Sequence, residues 1–177
     1  MRPARPLIVL LLLVALPASL GACSGGTGPR TWAAAVCTAL APWRAEISTL
    51  TDRTQQQMTA ETSPAQAKEN LVRLFGGAEA ASEKARAGVA RAGVPDVDGG
   101  DEVARSFTGA LTGMRDAYGR ARAGVEGLAT SPQKAFYDQV GVVVQKLTQD
   151  YEKSSLDTGR LSSVELKQAF DEVPECR

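Results

Sequence analysis

Apolar residues recur along this chain at intervals of three and four in long blocks, the spacing that lays a stripe along one face of an α-helix. From Thr31 to about Met58 the stripe is Trp32, Val36, Leu40, Trp43, Ile47 and Leu50, with Thr31 placed to cap the start. Pro42 falls inside it; a proline removes a backbone donor and crowds the preceding turn, so a kink near Leu40 or a break is expected. A second block opens on Ser63, Pro64, Ala65 and Gln66, which joins an N-cap, a proline at the first helical position and the glutamine of a capping box. Its apolar face is Ala67, Leu71, Leu74, Phe75, Ala78, Ala81, Ala85 and Val89, and Gly93 with Pro95 beyond it marks the stop.

The third block begins around Asp98 to Asp101, where acidic groups suit the positive end of the helix dipole. It carries Val103, Phe107, Ala110, Met114, Ala117, Ala121, Val125 and Leu128. Gly109 and Gly113 have the spacing that lets helices touch in lipid, but Arg105, Arg115 and Asp116 on the same segment exclude a membrane helix. Close packing in a water-exposed bundle, or no role at all, is the plainer reading. The fourth block starts at Ser131 and Pro132, holds Phe136, Val140, Val143, Val144, Leu147 and Tyr151, and fades near Leu156. A short fifth follows, with Ser162 and Glu165 as a capping box and Leu166, Phe170 and Val173 on one side until Pro174. No alternating pattern long enough for a strand occurs. Four helices, each roughly 40 Å long at about 1.5 Å per residue and joined by short connections, predict antiparallel neighbours. The expected fold is all-α: an up-and-down antiparallel four-helix bundle with a short C-terminal fifth helix, occupying residues 31–177.

The first 22 residues have another character. Arg2 and Arg5 precede an apolar run from Leu7 to Leu16, too short to span a bilayer but suited to the core of a secretory signal. No Arg-Arg pair is present, which favours the general secretory route. The run closes on Leu20, Gly21, Ala22 and Cys23, and these four residues resemble the lipobox of bacterial lipoproteins. That resemblance implies removal of residues 1–22, a diacylglycerol on the Cys23 thiol, and a membrane partner through that anchor. The plainer alternative is an ordinary signal peptide that leaves Cys23 as a spare thiol. Two acyl chains hold a protein to a bilayer far longer than one. Residues 23–30, rich in Gly, Ser, Thr and Pro, read as a flexible tether whose eight steps from Cys23 to Thr31 reach at most roughly 28 Å.

Composition narrows the chemistry. The chain of 177 residues has 20 basic and 20 acidic side chains, and losing Arg2 and Arg5 with the signal leaves a slightly acidic body. Such a body lacks the basic face that nucleic acid normally demands, so nucleic acid is not expected as a partner. There is no histidine, which removes Ser/His/Asp and Cys/His nucleophiles and histidine-based metal and haem sites. Arginine outnumbers lysine 14 to 6, a bias of GC-rich genomes.

Once Cys23 is acylated, Cys37 and Cys176 are the remaining thiols, and in an exported chain their pairing as a disulfide is expected. Two free thiols or a reactive pair is the rival reading, for which neither a CxxC spacing nor a histidine offers support. Glu79 with Glu83, and Asp101 with Glu102, are paired carboxylates that read better as solvated faces. Arg115, Tyr118 and Arg122 share neighbouring turns and could hold an anion, though a surface ladder with Asp116 and Glu126 explains them as well. Trp32 and Trp43 could flank an apolar pocket at one end of the bundle or simply pack the core. Gly99 and Gly100 lack the pattern of a phosphate loop.

As a whole the chain resembles small secreted lipoproteins of actinobacteria, Streptomyces-like ones in particular. The likeness rests on the lipobox at Cys23, the run Trp32, Cys37, Leu40, Pro42 and Trp43, and the closing Pro174, Glu175 and Cys176. It implies a lipid-anchored position on the extracytoplasmic face of the cell membrane and a helical fold, without an activity. The expected function is a non-catalytic binding or accessory module of the cell envelope, with no metal or other cofactor and with an envelope protein as the partner. A receptor for a small apolar or lipidic ligand held between the helices is the alternative.

Overall fold

The computed structural model describes residues 26–154, 161 and 163–177. The expected signal segment 1–22, Cys23, Leu156 and Ser162 lie outside the described residues. Five helices follow in order: α1 Pro29–Gln57, α2 Pro64–Arg91, α3 Gly100–Glu126, α4 Gln133–Lys153 and α5 Val164–Glu172, with a final 3-10 turn at Pro174–Cys176. The protein is all-α, and no strand occurs among the described residues.

Successive helices run antiparallel. Leu50 meets Gly77 and Ala39 meets Gly88 across α1 and α2, Glu79 and Glu83 meet Arg122 and Arg115 across α2 and α3, and Gly113 and Gly124 meet Ser154 and Val143 across α3 and α4. In each pair the number on one helix rises as its partner's falls. The bundle is not a closed square, however: α1 packs on α2 and on α5, α4 packs on α3 and lightly on α2, and the backbones of α1 and α4 stay apart.

Local signals explain most boundaries. Ser63 accepts from the Gln66 amide while the Gln66 side chain accepts from the Ser63 amide, closing the expected capping box. Gly93 adopts a left-handed φ of 75° just past α2, a conformation that a side chain would strain. At the α2–α3 connection a Cβ on Gly100 would lie 2.1 Å from the Pro95 carbonyl oxygen, so the Gly99–Gly100 pair serves close chain approach rather than ligand binding.

Several expectations change. α1 starts at Pro29 with Gly28 as its N-cap, so Thr31 lies within the first turn and caps nothing. Helix α1 also runs through Pro42 unbroken. Pro42 is exposed, and the carbonyl of exposed Thr38 that it leaves without a donor can turn to water. In α3 the buried position is Leu111, fully enclosed, while Ala110 is half-buried. The larger side chain takes the core, and the stripe turns by one residue. α5 is capped by Ser163, whose hydroxyl accepts from the Leu166 amide, rather than by Ser162. The expected tether at 23–30 is shorter than its composition implies. Thr27 donates to Val94 O and accepts from the Asp96 amide, both at 2.8 Å, and Pro29 and Arg30 already belong to α1.

The core divides into two larger clusters and a small third, in which Ala33 of α1 meets Ala169 and Val173. One cluster joins Trp32, Val36, Leu40, Val89, Phe107, Leu111, Met114, Leu161 and Leu166, drawing on every helix except α4 for its buried members. The other joins Leu71, Phe75, Ala121 and Val125, with Val140, Val143 and Leu147 of α4 lying half-buried against it. Phe136 is the one buried residue of α4, and Val142 and Val144 stand exposed. No helix among the described residues is long and apolar enough to cross a membrane.

Candidate functional site

The two tryptophans share a stripe in the sequence but have different surroundings. Trp32 is fully buried, and its Nε1 donates to the Gly93 carbonyl at 2.9 Å. Its ring meets Phe107 edge-on at 5.3 Å and Phe170 at 6.0 Å, while Phe107 and Phe170 stack at 5.7 Å. One indole therefore ties together the start of α1, the end of α2, α3 and α5. Trp43 is half-buried and donates from Nε1 to the buried Ser82 hydroxyl at 3.1 Å, which itself donates to Ala78 O. The two rings do not flank one pocket; only Trp43 borders a cleft.

That cleft, of about 480 Å³, opens between α1 and α4, whose backbones stay apart. Cys37, Leu40, Phe107 and Met114 are its buried members, and the half-buried Trp43, Tyr151 and Phe170 also line it. Arg44 and Asp171 supply charge, and Cys176 completes the lining beside Cys37. The Sγ atoms of these two cysteines stand at disulfide distance, 1.97 Å, with Cα atoms 5.0 Å apart. The pair fastens the C-terminal turn to α1, helped by an ion pair between Arg30 and Glu172.

Burial holds the hydroxyls behind the cleft in their neutral form. The Tyr118 phenol is pushed up to about 12, mainly by desolvation and further by Tyr151 beside it, and burial also raises Tyr151. Their rings meet edge-on at 6.4 Å. Neither phenol acts as a base near neutral pH, and of the two only Tyr151 lines the cleft.

The other polar candidates do not assemble into a site. Glu83 bridges Arg86 at 2.6 Å and Arg115 at 2.9 Å, and Arg122 bridges Glu79 at 2.9 Å and Glu126 at 3.0 Å. Hydrogen bonds from Arg86, then Arg115, hold the Glu83 carboxyl down at about 2. Arg115 also reaches Asp116, so the arginines form a ladder across α2 and α3, while Tyr118 faces α4. Asp101 and Glu102 are exposed in the first turn of α3. No group of three potential metal ligands occurs among the described residues.

The alanine-rich face of α2 borders a second, larger cleft of about 820 Å³ shared with α1, with Ala39, Trp43, Ala81, Ala85 and Gly88 in its lining, although the two helices approach closely at one end of it. A Cβ on Gly88 would lie 2.7 Å from that of Ala39. Arg44, Tyr151 and Phe170 could not be grouped from the sequence, since they lie on three helices and no short-range pattern connects them. No protein family, curated protein or solved structure matches the chain.

Proposed function

We propose that the protein is a non-catalytic helical module tethered by lipid at Cys23 to the extracytoplasmic face of the cell membrane, where it binds or assists another envelope component. The lipobox-like Leu20 to Cys23 motivates the anchor. The Cys37–Cys176 pair carries the compartment argument, because such bonds persist outside the reducing cytoplasm. Pairing of Thr27 with the α2–α3 connection adds a geometric consequence. Only four steps separate Cys23 from Thr27, so the free reach is about 14 Å and the bundle stays against the membrane surface. The test is growth with labelled palmitate: the wild-type chain should carry the label and fractionate with membranes, and Cys23→Ala should do neither. A Cys23→Ala chain that still fractionates with lipid would overturn the reading.

The second reading, a receptor for a small apolar or lipidic ligand, is favoured by the cleft beside the cysteine pair. Its volume lies within the range of small-molecule sites, and aromatic and aliphatic side chains line it beside Arg44 and Asp171.

A further inference from the structure

Residues 163–177 hold to the bundle through few ties. Among the other helices, the backbone of α5 comes close to α1 alone. Its nine residues fall short of the roughly 12 to 15 that a helix needs to persist by itself in water, so α5 keeps its shape only while Leu166 and Ala169 stay buried. The ion pair of Arg30 with Glu172 is exposed and adds little. The remaining tie is covalent, from Cys176 to Cys37.

Beneath this segment lies aromatic core. Phe170 stacks on Phe107 of α3 and meets Trp32 of α1 edge-on, and both of those rings are buried. The four long helices have cohesion of their own: the cluster of Leu71, Phe75, Ala121 and Val125 has no α5 member, and the bond from Trp32 to Gly93 O does not involve α5. The two sulfurs differ in access. Cys37 is buried within α1 and Cys176 is half-buried, and both line the 480 Å³ cleft, which is open to solvent. In the larger cleft along α1 and α2, Lys84 and Arg91 share the lining with Glu46 over alanine and glycine, and this mixture selects no ligand.

We propose that Cys176 is a thiol–disulfide exchange site and that residues 163–177 form a flap over Trp32 and Phe107, latched by the bond to Cys37 and released by a dithiol reductant. A thiolate of the reductant attacks Sγ of Cys176, the more accessible sulfur. The S–S bond breaks, and Cys37 leaves as a thiolate and takes a proton. The second thiol of the reductant then loses its proton, attacks the reductant sulfur bonded to Cys176, and frees Cys176 as a thiol. Two electrons and two protons pass from the dithiol to the cystine, and the reductant ends as a disulfide. With the covalent tie gone, α5 opens while α1 to α4 stay packed, and Trp32 and Phe107 lose their cover. The latch depends on the cysteine pair alone, not on lipid at Cys23.

The test places the full chain in native buffer with mild detergent and excess dithiothreitol, and follows it by hydrogen–deuterium exchange with peptide mapping. The bond should be reduced without denaturant. Amides of α5 should then exchange roughly tenfold faster or more, as local opening requires, while those of 71–85 and 114–125 change less than about twofold. Re-oxidation should restore protection of α5, and the double variant Cys37→Ser with Cys176→Ser, which needs no reductant, should match the reduced chain. A monothiol, glutathione, quenched with iodoacetamide, should be found as an adduct on Cys176 with Cys37 alkylated; the reverse pattern would overturn the assignment of Cys176. A bond that yields only in denaturant, or α5 exchange unchanged by reduction, would overturn the latch. Loss of protection in all helices together would overturn the flap, because the bond would then support the whole bundle.

Discussion

Replacing Trp32 by alanine should be among the most damaging single changes in this protein. The side chain is fully enclosed, donates one hydrogen bond to the Gly93 carbonyl at 2.9 Å, and touches two phenylalanines from different helices. Truncating a buried tryptophan costs about 3 to 5 kcal/mol, from lost transfer free energy and the cavity left behind. With a urea m-value near about 2 kcal/mol/M, the unfolding midpoint should fall by roughly 1.5 to 2.5 M. Circular dichroism at 222 nm during urea titration measures it. Trp32→Phe separates the two contributions: it keeps most of the apolar body and loses the donor, leaving Gly93 O without its partner at a cost of about 1 to 3 kcal/mol. Trp43→Ala is the comparison, since that ring is half-buried and its Ser82 partner retains a bond to Ala78 O. A Trp32→Ala loss below about 1.5 kcal/mol, or one no larger than that of Trp43→Ala, would refute the view that Trp32 joins four segments into one core.

Two further outcomes follow from the ties between segments. Cys37 and Cys176 close a span of 139 residues, so the double serine variant should lose stability, with about 5 kcal/mol as the upper figure from loop entropy. Trypsin should then cut faster at Lys167 in α5, and an unchanged cutting rate would show that the pair does not hold that helix. Glu83 has its carboxyl lowered from 4.5 to about 2 by Arg86 and Arg115, so its contribution to stability is complete above the ordinary carboxylate range and is lost as pH falls toward about 2. Glu83→Gln should therefore be less stable than wild type at pH 6 and approach it at pH 2; a gap that stays constant over that range would exclude the ion pair as the cause.

Much of the fold was legible because helix formation is governed by neighbours three and four residues apart. The stripes of α2 and α3, the Ser63–Gln66 box and the Gly93 stop all act within a turn or two, and they stand where the residue pattern puts them. The pairing of Cys37 with Cys176 was accessible by a different route, from the small number of thiols in a chain whose N-terminus reads as a secretory signal. Local rules failed where two candidates competed for one job. Gly28 with Pro29 displaced Thr31 as the start of α1, Ser163 displaced Ser162, and Leu111 displaced Ala110 in the core. Each choice depends on what the other side of the residue meets, which periodicity does not contain.

By itself the sequence determined the helical class, the order and direction of the helices, the absence of imidazole chemistry and the candidate acylation site. Only the tertiary structure decided that Trp32 and Trp43 have unlike roles, that Glu79 and Glu83 are neutralised by arginines on α3, and that α1 and α4 stay apart to leave an aromatic cleft. The physical reason is range. Backbone hydrogen bonding and the apolar stripe couple residues within a few positions, whereas the cleft depends on which faces of four separate helices converge, and side chains more than a hundred positions apart must meet before that is defined.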